Sequence, residues 1–547
     1  MRLNKKTAFL QKFSLLFFIV AVIFGCASQQ KPQGGPRDRT PPKLVKASPP
    51  NMTRNFKAKE IRLEFDEYFS LKNQTQEISF SPAMEKAPTF KTSKKSIVVD
   101  FKDTLQKNTT YVINFGKSIA DLNEGNVLNN FTYVFSTGPH IDSLSVSGNV
   151  QNIMTQEKEK DVTVMLFPLN KDTLWTKKKP TIYASTDSSG NFSLNNLHEG
   201  DYRIYALKEK APNRIYDNDQ ELVAFQKAII HLKRDTANIH LNLFKQESEK
   251  FRLIDNRFDA DGKLLFTFNK PIENPTVKIL YPPALDAEKI VDFNKTRDTA
   301  LVYLKNMDFD SIRVSFLQNG VPIDTVAKRK GRKEAFDHVI SMQYNTTFDN
   351  KLKPNTNLVV ITNAPIQTID NSIITLNEDS VNISNYTITK DTATMKRLTF
   401  NYKWKPNSHY QIIFNEGALT SIYGDRNKKF LKQFQLDKSD NYGPLTLKVT
   451  IPDTTKGYVI ELMDNQKNVV HRDPVVKSGL VVYKNYPVGK YYVRVIYDDN
   501  KNGKWDSGNV KKRIQPENVW IYLKEITLRS NWEAEEPIDI PKEPTSH

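Results

Sequence analysis

Short runs of alternating apolar and polar residues recur along almost the whole chain. Ile61, Leu63 and Phe65 alternate with Arg62, Glu64 and Asp66; Tyr111, Ile113 and Phe115 repeat the pattern, and Lys263-Leu264-Leu265-Phe266-Thr267-Phe268 continues it. A period of two sends one set of side chains into a core and the other into water, so these runs predict half-buried strands. Clusters of Asn, Asp, Gly and Ser separate the runs, which is the signature of β-sandwiches. Aromatics make up 11% of the chain and Pro is commoner than Gly, 28 against 20, which favours strands and turns over long helices.

One stretch breaks the alternation. Phe13 to Gly25 (FSLLFFIVAVIFG) is continuously apolar and follows a basic segment holding Arg2, Lys5, Lys6 and Lys12. It is too short to cross a hydrocarbon core of about 30 Å as a helix. Residues 1–25 therefore read as a signal peptide, with an uncleaved N-terminal anchor as the alternative. Cys26, the single cysteine of the chain, follows at once, so no intrachain disulfide and no Cys-based zinc finger can form. Ile23-Phe24-Gly25-Cys26 resembles the lipobox of bacterial lipoproteins, although Phe24 departs from the usual small or β-branched residue. The resemblance implies that Cys26 becomes an acylated N-terminus, and two or more acyl chains give stable anchoring. Residues 26–42, rich in Pro, Gly and polar groups, form a flexible tether. They lack the acidic run that resembles the surface-export signal of some Bacteroidetes-type lipoproteins. The expected location is the outer membrane, on its periplasmic face.

The strands group into repeats. Residues 43–138 carry Pro49-Pro50-Asn51, Ile61 to Phe65, Asn108-Thr109-Thr110-Tyr111, Ile119-Ala120-Asp121 with Gly125-Asn126, and Phe135-Ser136-Thr137-Gly138. Together these resemble the bacterial Ig-like domain of the S-layer (SbsA) type. Lys405 to Phe414 aligns with Gln106 to Phe115 at an offset of 299, which holds through Gly125/Gly424, Phe131/Phe430 and Phe135/Phe434. Residues 340–438 thus read as a second copy, and 250–335 as a divergent relative. Between and after them lies another type. Ser147-Gly148-Asn149-Val150, Val162 to Leu166 and Gly190 to Tyr202 resemble the carboxypeptidase regulatory-like (transthyretin-like) β-sandwich. Gly479 to Asp506 aligns with Gly190 to Asp217 without a gap, giving modules at 141–246 and 443–532 and leaving 533–547 as a polar tail. The resemblance implies non-catalytic accessory modules.

The formal charge is +17, and +13 once residues 1–25 and their four basic residues are set aside. The densest basic cluster, Lys328 to Lys333, reads as a solvated linker or as a contact for anionic head groups or phosphorylated glycan. No aromatic platform or nucleic-acid motif accompanies it, which argues against DNA or RNA as partners.

Chemistry-bearing patterns are few. The eight histidines form no His-x-x-x-His pair, and the chain has no Gly-x-Ser-x-Gly elbow, P-loop or dinucleotide fingerprint. The best loop is Asp498-Asp499-Asn500-Lys501-Asn502-Gly503-Lys504-Trp505-Asp506. Asp498, Asn500, Asn502 and Asp506 place oxygens at positions 1, 3, 5 and 9 with Gly503 at 6, the first part of a calcium loop. Position 12 is Asn509 rather than a bidentate Glu, and a hairpin tip built on Asn-Gly is the alternative. The equivalent loop, Glu209 to Asp217, carries Ala211 and Pro212 and is expected to bind no calcium. Asp-(Ser/Thr)-(small or aliphatic) recurs ten times, from Asp103-Thr104-Leu105 to Asp453-Thr454-Thr455. It resembles the O-glycosylation sequon of Bacteroidetes-type exported proteins; turn capping by Asp is the alternative.

The expectation is an all-β protein, a tandem array of Ig-like and transthyretin-like β-sandwich domains, lipid-anchored at Cys26. It has no catalytic residues, and calcium is its only candidate cofactor. Its expected role is a structural or interaction protein of the cell envelope with a glycan or protein partner; a carbohydrate-binding accessory lipoprotein is the alternative.

Overall fold

The computed structural model describes residues 38–543 apart from 85, 219, 332–335 and 531. Cys26, the signal peptide, most of the tether and the end of the basic cluster lie outside the described residues. The regular structure of the described residues is nearly all strand, with only short helical segments such as Gln74–Glu77, Leu169–Leu174 and Leu285–Glu288. Among the described residues no helix is long and apolar enough to cross a membrane.

The chain divides into two compact units. The first holds residues up to Ser143 together with Asn196–His198. Its main sheet runs Leu44–Ser48, Glu60–Phe65, Ser96–Asp100, Thr89–Ser93; a second runs Ser79–Ser81, Thr110–Asn114, Thr132–Ser136. The alternation seen in the sequence is what divides the faces. Ile61, Leu63 and Phe65 are buried while Glu60 and Arg62 are exposed, and Tyr111, Ile113 and Phe135 meet them from the other sheet. Each large apolar side chain so buried contributes about 1.5–3 kcal/mol.

The second unit contains everything else, four modules in all. Residues 340–438 repeat the Ig-like plan in detail. Tyr111 stacks on Phe135 at 5.3 Å and its hydroxyl accepts the Gln106 N–H at 2.8 Å; Tyr410 stacks on Phe434 at 5.3 Å and accepts the Lys405 N–H at 2.7 Å. The same offset of 299 links every one of these residues. A ring that fills the core while its hydroxyl ties down the loop before its own strand fixes that loop in both copies. The strands from Leu253 to Arg329 form two sheets of their own around Phe266, Val302, Val314 and Phe316.

The 141–246 and 443–532 modules share a different plan. In each, the first strand pairs in parallel with the last: Leu144–Asn152 with Thr236–Lys245, and Tyr442–Thr450 with Ala534–Asp539. The second pairing corrects the reading of 533–547 as a polar tail. Ala534, Ile538 and Ile540 are buried, and the strand completes the sheet. Glu535, Glu536, Pro537 and Asp539 dilute the apolar signal to the point where the pattern reads as solvated chain.

These two modules also pack on each other across nearly 200 intervening residues. Phe167, Trp175, Tyr205 and Phe244 share one core with Val459, Ile496, Val510 and Val519. Polar groups seal its rim: Arg513 Nη2 donates to Asp172 at 2.6 Å, Gln515 Nε2 to the Phe225 carbonyl at 2.8 Å, and Arg494 Nη1 to the Met154 carbonyl at 3.0 Å. Tyr303 Oη donates to the Asn363 carbonyl at 3.2 Å and Asn485 Nδ2 to the Pro354 carbonyl at 2.6 Å. With these contacts the second unit's modules form a closed circuit rather than an open row.

Candidate functional site

The strand Gly489–Asp498 delivers the chain to the 498–506 loop. Asp498 is buried, and its two oxygens accept the backbone N–H groups of Asn502 at 3.0 Å and Gly503 at 2.8 Å. Asn502 Oδ1 accepts the Lys504 N–H at 2.9 Å. Its Nδ2 donates to Asp506 at 2.8 Å, and Asn500 Nδ2 donates to the same carboxylate. Gly503 sits at φ +75, which only glycine adopts freely. The structure thus brings all four expected residues, Asp498, Asn500, Asn502 and Asp506, into one turn.

A third acid joins them. Glu517, just before strand Val519–Leu528, accepts the N–H groups of Asp499 at 3.0 Å and Asp506 at 2.9 Å. Burial, reinforced by the charges of Asp506 and Asp498, pushes its carboxyl up to about 7. Eleven positions beyond Asp506, it lies outside any loop-spacing rule. Its one sequence signal is an acid standing beside a proline just ahead of a strand.

The equivalent loop in the 141–246 module keeps the hydrogen bonds of Asp498 and Asn502, but Ala211 cannot make the Asn500 one. Glu209 accepts the N–H groups of Asn213 at 2.8 Å and Arg214 at 3.1 Å. Asn213 Oδ1 accepts the Ile215 N–H at 2.7 Å, and its Nδ2 donates to Asp217 at 2.9 Å. Glu221, just before strand Leu222–Phe225, takes the place of Glu517. Burial and the Glu209 charge push its carboxyl up to about 7 as well. One difference stands out. Where one loop has Gly503, the other has Arg214, also left-handed at φ 61, buried, with its guanidinium 4.2 Å from the Tyr183 ring centroid. Among the described residues no three His, Cys, Asp or Glu side chains gather as a ready metal cluster.

The other candidates are placed as follows. Of the ten Asp-(Ser/Thr) hydroxyl residues, seven are exposed, and Thr236, Thr299 and Ser311 are half-buried. Their aspartates also do turn work: Asp453 accepts the Thr455 N–H at 2.8 Å, and Asp324 the Thr325 N–H at 2.7 Å. In the basic cluster, Lys328 Nζ donates to the Asn256 carbonyl at 2.9 Å, and Lys330 donates to the Met307 carbonyl. Tyr423 stacks on His338 at 4.0 Å, and Trp505 Nε1 donates to the Glu517 carbonyl at 2.9 Å. Neither ring is a free platform.

Comparison with solved structures finds only remote similarity. The major pilin subunit BcpA of Bacillus cereus is 11% identical, covers 73% of this chain and 99% of its own, and has a TM-score of 0.14. The Bacillus anthracis TIE protein is 10% identical, covers 99% and 79%, with a TM-score of 0.15. Surface layer protein SbsC, domains 1–6, is 12% identical, covers 89% and 67%, with a TM-score of 0.14. Comparison with curated protein sequences gives no match. Residues 38–137, the first module, match the bacterial Ig-like domain family.

Proposed function

We propose that this chain is a non-catalytic structural or interaction protein of the cell envelope, anchored by lipid at Cys26 in the outer membrane and facing the periplasm. The shared core between the 141–246 and 443–532 modules carries the reading. It closes the second unit through buried aromatic and aliphatic side chains, which favours a fixed body over a string of independently moving domains. A second unit held as one body suits holding surfaces at a distance or presenting loops to a partner. Replacing Cys26 by Ala should abolish lipid labelling and move the protein from the membrane to the soluble fraction. Retention in the membrane refutes the anchor.

The reading extends to calcium at the 498–506 loop. The hydrogen bonds of Asp498 and Asn502 are those of a turn, since Glu209 and Asn213 make them too. What the second loop adds is an oxygen at Asn500 in place of Ala211, and Gly503 in place of a buried guanidinium. Asp498, Asp506 and Glu517 therefore lack a buried guanidinium like the one Arg214 supplies to Glu209, and the exposed Lys504 is the cation nearest Asp506. A hard cation that prefers oxygen ligands answers that imbalance.

A further inference from the structure

The 340–438 module carries a groove that neither its core nor its neighbours require. Its five-stranded sheet runs Lys351–Leu352, Phe430–Leu436, His409–Phe414, Ile374–Glu378, Val381–Ile383. One face supplies Leu376, Tyr410, Ile412 and Phe434 to the core. On the other, Asn377, Gln411 and Gln433 stand side by side on three adjacent strands, in register. Neighbouring strands lie about 4.8 Å apart, so the amides form a continuous row. Asn377 Nδ2 donates to Gln411 Oε1 at 3.4 Å, which leaves most of the row's donors and acceptors facing solvent. A cavity of about 390 Å³ lies over this floor. It is walled by the turn carrying Asp349 and Asn350 and by the hairpin tip Asp379-Ser380.

The internal repeat provides a control. At the offset of 299, Gln411 and Gln433 correspond to Val112 and Val134, which face each other across the same two strands. The fold therefore accepts valine at both positions, and the amides are not a demand of the sheet. Two further observations mark the groove. Asp379 and Ser380, at φ 49 and 71, form the two-residue loop between Ile374–Glu378 and Val381–Ile383, a tight turn that needs both residues left-handed and holds the tip in one shape. Phe348, next to Asp349 in the walling turn, is exposed over its whole side chain. A lone exposed apolar residue means little, but this one adjoins Asp349, which lines the amide-floored cavity.

We propose that this groove binds an uncharged oligosaccharide segment. An amide donates and accepts at once, as a sugar hydroxyl does, so a row of amides pairs with hydroxyls along a glycan. The carboxylates of Asp349 and Asp379 accept from adjacent hydroxyls. Lys351, 3.0 Å from Asp349, offsets that carboxylate, and Asp379 already accepts the His409 N–H at 2.9 Å, so the site favours a ligand without charge of its own. Phe348 offers a ring on which the C–H face of a sugar can pack. An extended peptide fits less well, because the row lies on the face of the sheet rather than along an open edge. The proposal goes beyond the scaffold reading and does not depend on the lipid anchor, so loss of either leaves the other standing.

The test is calorimetric titration of the purified full-length chain with cellohexaose, maltohexaose, laminarihexaose and chitohexaose. At least one should bind saturably with Kd of about 10 μM to 1 mM. Phe348→Ala, and separately Gln411→Val with Gln433→Val, should each weaken it by about tenfold or more without lowering the melting temperature. The double variant installs the residues that the other copy already carries. Phe348→Ala touches no packed side chain and serves if the double variant folds poorly. The proposal is overturned if none of the four glycans binds, if binding survives both changes, or if only an acidic polysaccharide or an extended peptide binds.

Discussion

The loops 209–221 and 498–517 are built to one plan and balanced in two ways. Each hangs on a carboxylate that caps two backbone N–H groups, an asparagine that bridges to a second acid, and a third acid ahead of the next strand. In one, Arg214 lies buried beside the acids and supplies a permanent positive charge. In the other, the same left-handed position is Gly503, and the only lysine acting on Asp506 is the more exposed Lys504 rather than a buried guanidinium. A repeated loop can therefore keep its hydrogen bonds while exchanging a protein cation for an opening.

The largest expected effect tests the shared plan. Asp498→Ala removes a buried acceptor from two N–H groups and should cost about 3 kcal/mol, with Glu209→Ala costing about 2 kcal/mol, read from denaturant midpoints. If only one of them matters, the loops are not equivalent.

A swap sharpens the difference. Arg214→Gly with Ala211→Asn gives the first loop the second loop's chemistry. It should lose about 2 kcal/mol in the absence of calcium, chiefly the guanidinium–Tyr183 contact. Calorimetry should then show calcium heat at this loop, as it should at the unaltered 498–506 loop, where Asp506→Ala removes it. No calcium heat in the unaltered protein would leave 498–506 as a turn and nothing more.

The smallest effect is on pH dependence. Glu517 and Glu221 both titrate near 7 when folded, above the ordinary glutamate value near 4.5. The folded state then holds protons that the unfolded state has released, so stability is greatest below about pH 4.5 as far as these groups go. It falls as pH rises through about 7. Glu517→Gln should flatten that decline in thermal melts, and saturating calcium should flatten it in the unaltered protein.

Much of the architecture was legible. Ile61, Leu63 and Phe65 announced their strand because one face is buried and the other wet, and the offset of 299 found the Tyr111/Tyr410 core ring before any coordinate did. The four loop residues from Asp498 to Asp506 were found by spacing, because a turn is a local object. Glu517 and Glu221 were missed because they reach their loops from the next strand, and the strand Ala534–Asp539 because charge and proline interrupt its apolar residues.

Strand positions, the repeat of modules and the turn that collects oxygens follow from periodicity and short spacing, where neighbours in the chain are neighbours in space. The core shared by the first and last modules of the second unit, the buried charge of Arg214 where the other loop has Gly503, and the three amides aligned across three strands emerge from folding alone. Each depends on contacts between residues far apart in the chain. Their partners are selected by packing and burial rather than by any pattern a single segment carries.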